Sequence, residues 1–113
     1  MTASSLSILN DVFGYRTFRG DQEAAIDAAL NGLDSLVLQP TGGGKSVCYQ
    51  IPALLMDGVT LVVSPLIALM QDQVAALTQL GVNAAFLNST LSSGEQSEIY
   101  RRLAGGEIKL LYV

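Results

Sequence analysis

Histidine is absent from this sequence, cysteine occurs once, and there are six basic residues against ten acidic ones. Without histidine, the chain has no histidine-based catalytic triad and no metal site with a histidine ligand. The one cysteine, Cys48, cannot form an internal disulfide, and its apolar neighbours predict a small buried side chain. The net charge of −4 argues against a strong non-specific electrostatic grip on nucleic acid, although backbone amides and helix N-termini can still contact phosphates.

Long apolar runs are missing too. No stretch reaches the roughly 18 apolar residues of a membrane helix, and the N-terminus lacks a signal pattern, so a soluble, intracellular protein is expected. Half of the residues are apolar and 14% are charged, which is typical of a globular chain. A length of 113 residues allows one domain at most.

The most informative stretch is a glycine-rich loop, Thr41-Gly42-Gly43-Gly44-Lys45-Ser46. It follows an apolar run at residues 36–38, which predicts a strand, and it precedes a predicted helix at residues 45–56. Glycines allow backbone N–H groups to close around phosphate oxygens, and a helix N-terminus adds further donors. The stretch therefore predicts a phosphate-binding P-loop, with Gln39 as a departure from the glycine usual at that position.

Two side chains of this loop carry the predicted chemistry. Lys45 would place a catalytic cation against the β- and γ-phosphates of a nucleotide. The Ser46 hydroxyl is a hard oxygen ligand of the kind that Mg²⁺ prefers.

A second cluster, Tyr15, Arg19 and Gln22, precedes the loop. A glutamine amide offers one donor and one acceptor, which match N7 and N6–H₂ of adenine and would favour ATP over GTP. Tyr15 could stack on the purine face. From the residues alone a second interpretation stays open, in which Phe13 and Phe18 pack while the polar side chains are solvated.

Strand and helix patterns alternate along the rest of the chain. Strands are predicted at residues 36–38, 60–63, 84–87 and 108–113. Helices are predicted at residues 6–13, 21–30, 45–56, 65–80 and 93–103, with a kink or early end at Pro52 and a mobile segment at residues 1–5. This order predicts an α/β fold, in which helices cover both faces of a parallel sheet.

Ligands of such sheets bind at the carboxyl ends of the strands. Three predicted loops fall there: the P-loop, Ser64-Pro65 and Asn88-Ser89-Thr90. From the residues alone, helix capping is the first interpretation of the last two, with Ser64 as N-cap and Pro65 at the first helical position.

Four segments in this order resemble the first motor lobe of the RecQ family of DNA helicases, within superfamily 2. Phe13-Gly14-Tyr15, Phe18-Arg19 and Gln22 are similar to the adenine-reading motif 0. Residues 39–52 are similar to motif I, residues 62–73 to motif Ia, and Leu87-Asn88-Ser89-Thr90 to a further segment on the DNA side. The resemblance covers residues 9–113, and Gly20-Asp21 stands where many members have Pro-Gly.

The resemblance implies a P-loop NTPase with a RecA-like sheet, in which residues 6–32 read adenine and residues 33–113 form the core. It implies that Gln22 contacts adenine, Tyr15 stacks on it and Arg19 braces the pocket. It also implies ATP and Mg²⁺ as ligands. Contacts to the phosphates of the tracking DNA strand are implied for Ser64, Pro65, Asn88, Ser89 and Thr90.

For the parent protein the resemblance implies a 3′ to 5′ ATP-driven helicase of recombination and repair, in the bacterial cytoplasm or the eukaryotic nucleus. It further implies an acidic Asp-Glu-x-His box, a second motor lobe and a zinc-binding region, none of which lies in these 113 residues. The chain alone is therefore expected to bind nucleotide weakly, to turn over negligibly and to expose a sheet edge open to self-association.

Two other function classes share the P-loop. A small NTP-binding enzyme or kinase would need an acceptor site and an arginine-rich lid, which residues 47–113 do not show. A non-catalytic module would bind nucleotide or a partner without hydrolysis, and the missing acidic box is compatible with it.

Overall fold

The computed structural model describes residues 2–37, 45–64 and 66–113. The chain divides into two compact regions, Met1–Asp57 and Gly58–Val113. The described helices and strands are α1 (Thr2–Asp11), α2 (Gln22–Leu30), α3 (Val47–Leu55), β1 (Thr60–Val62), α4 (Ile67–Gln79), β2 (Ala84–Phe86), α5 (Ser93–Ala104) and β3 (Leu110–Tyr112). None of these helices has the length and apolar character needed to cross a membrane.

The regular structure described in the region Met1–Asp57 consists of the helices α1, α2 and α3. Both α1 and α2 pack against α3, and the shared core consists of Leu9, Ile26, Val47 and Ile51. The apolar sequence of α3 explains its central place, because burial on several sides is favourable for a helix without a polar face. The predicted early end at Pro52 is wrong, since α3 continues past this buried proline to Leu55.

The helix predicted at residues 6–13 begins earlier than expected, because α1 starts at Thr2. Ser5 is fully buried, as is Leu9 one turn later. Residues four apart lie on the same helix face, so the packing that buries Leu9 also buries the small Ser5 side chain.

The strand predicted at residues 36–38 is not formed in its described part. Residues 36 and 37 have no regular structure, and Leu36 is 86% exposed; Leu38 lies outside the described residues. A strand needs a neighbour to satisfy its backbone groups, and none of the described strands pairs with residues 36 and 37. Apolar character alone did not determine a strand here.

The region Gly58–Val113 contains a three-stranded parallel sheet in the order β1-β3-β2. The middle strand β3 buries all three of its residues, because it has a strand on each side. Across the sheet, Leu61, Leu111 and Ala85 share one register position, and Val62, Tyr112 and Phe86 share the next.

Helices cover both faces of this sheet. Ile99 and Leu103 of α5 pack on the face that carries Ala85 and Leu111. On the other face, the Tyr112 hydroxyl lies 3.5 Å from Oε1 of Gln73 in α4. The predicted α/β class with a parallel sheet between helices is confirmed for this region.

Candidate functional site

The predicted P-loop is described only at its end. Gln39, Thr41, Gly42, Gly43 and Gly44 lie outside the described residues.

Lys45 is exposed and Ser46 is half-buried, and both form the turn that leads directly into α3. The Lys45 carbonyl accepts from the Cys48 N–H at 3.1 Å, and the Ser46 carbonyl accepts from the Gln50 N–H at 3.0 Å. The lysine and the serine are therefore continuous with the helix N-terminus.

The electrostatics of this helix end suit an anion. The first turn of α3 carries no acidic side chain, so nothing on the helix itself opposes the positive end of the helix dipole. Half-burial raises the pKa of the neighbouring Cys48 thiol, mainly through desolvation, so this cysteine adds no negative charge at neutral pH.

The Ser46 hydroxyl is suited to hold a divalent cation as a single oxygen ligand. Within residues 2–37, 45–64 and 66–113, no group of three or more acidic, histidine or cysteine side chains is placed to hold a metal ion. Mg²⁺ commonly keeps several phosphate and water oxygens among its ligands.

Gln22 is the first residue of α2, and its side chain is only 4% exposed. The side-chain Oε1 of Gln22 accepts from the backbone N–H of Arg19 at 2.8 Å, while the backbone N–H of Gln22 donates to the Arg19 carbonyl at 3.1 Å. This reciprocal pair closes the turn and fixes the orientation of the amide. An amide oxygen can accept two hydrogen bonds, and the N6–H₂ group of adenine is a donor.

The aromatic residues around this turn separate into two kinds. Phe13 and Phe18 pack against the core of the region, whereas Tyr15 is 59% exposed. The interpretation in which all polar side chains are solvated is wrong for Gln22, which is buried, although Arg19 is exposed.

Two features of this region do not follow from the sequence patterns. A cavity of about 210 Å³ lies beside the first turns of α2, lined by Asp21, Ala24, Ala25, Ser35, Leu36 and Val37. The strand predicted at residues 36–38 gave no reason to expect this cavity. The only sequence signal beside it is Asp21, part of the Gly20-Asp21 pair that stands where many RecQ members have Pro-Gly. The second feature is a contact of the Asn10 side chain, which donates to the loop that carries Tyr15. The only sequence signal for this contact is the position of the asparagine shortly before the turn at Gly14.

In the region Gly58–Val113, Ser64 and Asn88 both lie at the carboxyl edge of the sheet, on either side of β3. The Ser64 N–H donates to the Val113 carbonyl at 3.0 Å, and the Leu87 N–H donates to the Tyr112 carbonyl at 2.9 Å. The sheet therefore brings the two predicted DNA-contact loops to one edge.

The start of α4 differs from the prediction. The helix begins at Ile67 and Leu66 occupies the N-cap position, so Ser64 is not the N-cap; Pro65 lies outside the described residues. The Ser64 hydroxyl instead accepts from the Leu66 N–H at 3.3 Å, a turn of the kind that serine often forms. Leu66 has no side-chain acceptor with which to cap the first N–H groups of α4.

The loop after β2 is ordered by Asn88. Its Oδ1 accepts from the Thr90 N–H at 2.9 Å and from the Thr90 hydroxyl. Ser89 and Thr90 are exposed, which leaves hydroxyl and backbone groups at the surface of this edge.

The basic side chains of this region lie at the other edge of the sheet. Arg101 and Arg102 are in the last turn of α5, which leads back to the start of β3, where Lys109 lies. Arg101 pairs with Glu98, and this hydrogen bond raises the arginine pKa and lowers that of Glu98. Phosphate contacts at the carboxyl edge would therefore depend on neutral donors.

A cavity of about 470 Å³ lies at the edge of β2 and is bounded by α4 and α5. Its described lining residues include none of the predicted site residues. They are mostly apolar, with Glu95, Glu98 and Arg102 at the α5 side.

Comparisons with known proteins agree with these motifs. The family model "DEAD/DEAH box helicase" matches residues 19–113. The chain is similar to the "ATP-dependent DNA helicase RecQ" of Haemophilus influenzae, with 56% identity over 110 residues, which is 97% of this chain and 18% of that relative. The protein of the same name from Bacillus subtilis is 50% identical over 95% of this chain and 18% of its own length.

A plant relative, the "ATP-dependent DNA helicase Q-like 2" of Arabidopsis thaliana, is 48% identical over 91% of this chain and 15% of its own length. The chain thus spans less than a fifth of the length of these relatives.

Proposed function

Because this chain belongs to the DEAD/DEAH box helicase family, we propose that it forms the nucleotide-binding part of the first motor lobe of an ATP-dependent DNA helicase of the RecQ type. The observation that carries the proposal is the direct entry of Lys45 and Ser46 into α3, in a sequence 56% identical to a RecQ helicase. The same family match favours a helicase over a small P-loop kinase.

ATP is the proposed nucleotide. Lys45 binds the β- and γ-phosphates, and the loop Thr41-Gly42-Gly43-Gly44 cradles them through backbone N–H groups. The Ser46 hydroxyl is one ligand of Mg²⁺, and phosphate and water oxygens are among the others.

The base-reading residues of the proposal are Tyr15, Arg19 and Gln22. Gln22 reads adenine through an amide that its turn with Arg19 holds in one orientation, and the exposed Tyr15 ring stacks on the purine. In this proposal Arg19 braces the pocket through its backbone N–H, which hydrogen-bonds to the Gln22 amide oxygen.

The proposed DNA contacts are Ser64, Pro65, Asn88, Ser89 and Thr90. We propose that these residues bind DNA phosphates through hydroxyl and backbone donors, since the described basic residues of this region lie at the opposite edge of the sheet. In the whole protein these contacts would serve 3′ to 5′ movement along single-stranded DNA in recombination and repair. Such neutral contacts should give a shallow salt dependence.

The chain by itself is proposed to bind ATP weakly without efficient turnover, because phosphoryl transfer relies on an acidic box and an arginine from a second lobe. Zinc would belong to a further region of the whole protein. Among the described strands, β1 and β2 each pair on one side only, and such edges would allow the chain to self-associate.

The test is calorimetric titration of the chain with ATP and with GTP in Mg²⁺. We expect tighter binding of ATP, an equal affinity for both nucleotides in Gln22→Ala, and at least about a tenfold loss for both in Lys45→Ala. Gln50→Ala removes another buried glutamine of the same region and should keep the ATP preference. Lys109→Ala removes the other lysine and should leave both affinities unchanged.

Hydrolysis provides the opposing outcome. Efficient turnover of ATP or GTP by the chain without DNA would replace the helicase proposal with a small NTPase or kinase.

For the DNA edge, Asn88→Ala in the whole protein should weaken single-stranded DNA binding and leave ATP affinity unchanged. Ser97→Ala, an exposed serine of α5, is the matched control. Equal DNA affinity in wild type and Asn88→Ala would remove Asn88 from the proposed contacts.

A further inference from the structure

We propose that Asn10 is a positioning residue for nucleotide binding, which holds the loop of Tyr15 so that the exposed ring is ready to stack on a base. The inference rests on the proposed function, since it assigns Asn10 a role in that same base pocket. Asn10 lies in the last turn of α1, outside the motifs that the sequence pointed to.

The contacts of Asn10 converge on a single loop. Its side-chain Nδ2 donates to the carbonyl of Tyr15 and, at 3.1 Å, to the carbonyl of Arg16. A neutral amide group has two N–H donors, and here they bind two successive carbonyls. The peptide between Tyr15 and Arg16 is thereby fixed relative to α1.

A third bond holds the other side of Tyr15. Its backbone N–H donates to the Leu9 carbonyl at 3.1 Å, and Leu9 is 1% exposed in the core of the region. Gly14, immediately before, has a φ of +78°, a conformation that favours glycine and allows the chain to reverse after α1. Both the N–H and the carbonyl of Tyr15 are therefore anchored to the same helix.

The side chain of Tyr15 is not held in the same way. It is 59% exposed, whereas Phe13 and Phe18 on either side pack against the core. An exposed aromatic ring on a fixed backbone loses little conformational freedom when it binds a flat partner. This combination points to a preorganised stacking surface and gives α1 a role beyond packing.

The decisive substitution is Asn10→Asp. A carboxylate has nearly the same shape as the amide but no N–H donors, and its charge would oppose the two carbonyl oxygens. We expect the ATP affinity of the chain to fall by roughly five- to tenfold, because stacking supplies much of the affinity for a base. Binding of inorganic tripolyphosphate, which has no base, should remain unchanged.

Asn10→Gln keeps a two-donor amide and should recover most of the ATP affinity. The matched control is Asn31→Asp at the end of α2, where Nδ2 donates to the Asp27 carbonyl at 2.8 Å. It makes the same chemical change at a helix end of the same region without touching the Tyr15 loop. Both ligands should bind Asn31→Asp as they bind wild type.

A double-mutant cycle separates positioning from general support. If Asn10 acts through the ring, Asn10→Asp should have no further effect on ATP binding in a Tyr15→Ala background. Without any nucleotide, exchange of the Tyr15 amide hydrogen should be several-fold faster in Asn10→Asp than in wild type or Asn31→Asp.

Three results would overturn the inference: equal losses for ATP and tripolyphosphate, additive effects of Asn10→Asp and Tyr15→Ala, or an unchanged exchange rate at Tyr15. A wild-type chain that binds ATP no better than tripolyphosphate would overturn the base pocket itself, and the inference with it. Preference for ATP in wild type together with an unaffected Asn10→Asp would overturn the inference alone.

Discussion

The regions Met1–Asp57 and Gly58–Val113 differ in where they place polar side chains. In the first, Ser5, Gln22 and Gln50 are buried. In the second, the buried side chains are hydrophobic as far as the structure describes them, and the polar candidates Ser64 and Asn88 lie in loops at a sheet edge. Of the predicted base-reading residues, Gln22 is therefore buried with a core, whereas the predicted DNA contacts Ser64 and Asn88 lie in loops outside one.

The helix N-termini of the two regions show a second contrast. In α3 the N-terminus follows Lys45 and Ser46 and has no acidic side chain in its first turn. In α5 the N-terminus is closed by a capping box, in which Ser92 and Glu95 satisfy each other's backbone N–H groups. Of these two, only the α3 end retains the character of an anion site.

The largest expected effect tests how far the second region depends on its apolar core. Leu110→Ala removes a fully buried side chain of the middle strand and should lower the free energy of unfolding by about 2–5 kcal/mol. Urea denaturation followed by circular dichroism measures it.

The control for this substitution is Leu61→Ala on β1, where the leucine is 62% exposed. It should change the unfolding free energy by no more than about 0.5 kcal/mol. Similar losses for the two leucines would contradict the assignment of the core to the middle strand.

The second effect tests the link between pocket and core. Gln22→Ala deletes the acceptor of the partly buried Arg19 N–H bond, and a typical intramolecular hydrogen bond contributes about 0.5–1.5 kcal/mol. We therefore expect a lower unfolding free energy together with the lost ATP preference. Asn88→Ala, in the loop of the second region, should destabilise by less than about 1 kcal/mol.

If Gln22→Ala lost the ATP preference but kept the wild-type free energy of unfolding, Gln22 would not link base recognition to the core. The contrast with the loop residue Asn88 would then not hold.

The third effect tests the closed N-terminus of α5. Ser92→Ala removes the side chain that accepts from the Glu95 N–H at 3.2 Å, and loss of an N-cap costs about 1 kcal/mol. Ser93→Ala, one residue into the helix, is the control and should be nearly neutral. Equal effects at both serines would show that the cap is not what stabilises this helix end.

The smallest effect is a pH dependence of the same cap. Hydrogen bonds from the backbone N–H and then the hydroxyl of Ser92 lower the pKa of Glu95. A lowered pKa stabilises the fold above the ordinary glutamate pKa, and this stabilisation is lost as the pH falls through the folded-state value. The stability difference between wild type and Glu95→Gln should therefore shrink as the solution becomes acidic.

Urea midpoints of the two proteins, measured between neutral pH and pH values below the ordinary glutamate pKa, give this difference directly. A difference that stayed constant over that range would mean that ionisation of Glu95 does not contribute to the cap.

Much of the secondary structure followed from the sequence. The helices predicted at residues 21–30 and 93–103 are confirmed within one residue at each end, because periodicity and end signals are local properties. The sheet strands predicted near residues 60, 84 and 110 are also confirmed, although each is shorter than expected. The order of the motifs along the chain also predicted a helicase, and the DEAD/DEAH box helicase model matches residues 19–113.

What the sequence could not supply depends on contacts between distant residues. The sequence at residues 36–38 is typical of a strand, but its described residues 36 and 37 pair with none of the described strands, because pairing depends on two segments. The motif identified Tyr15 and Gln22 as candidates, yet only packing made one exposed and the other buried. Asn10 acquires its candidate role solely because the chain turns back at Gly14 and brings two carbonyls within reach of its amide, which no local pattern encodes.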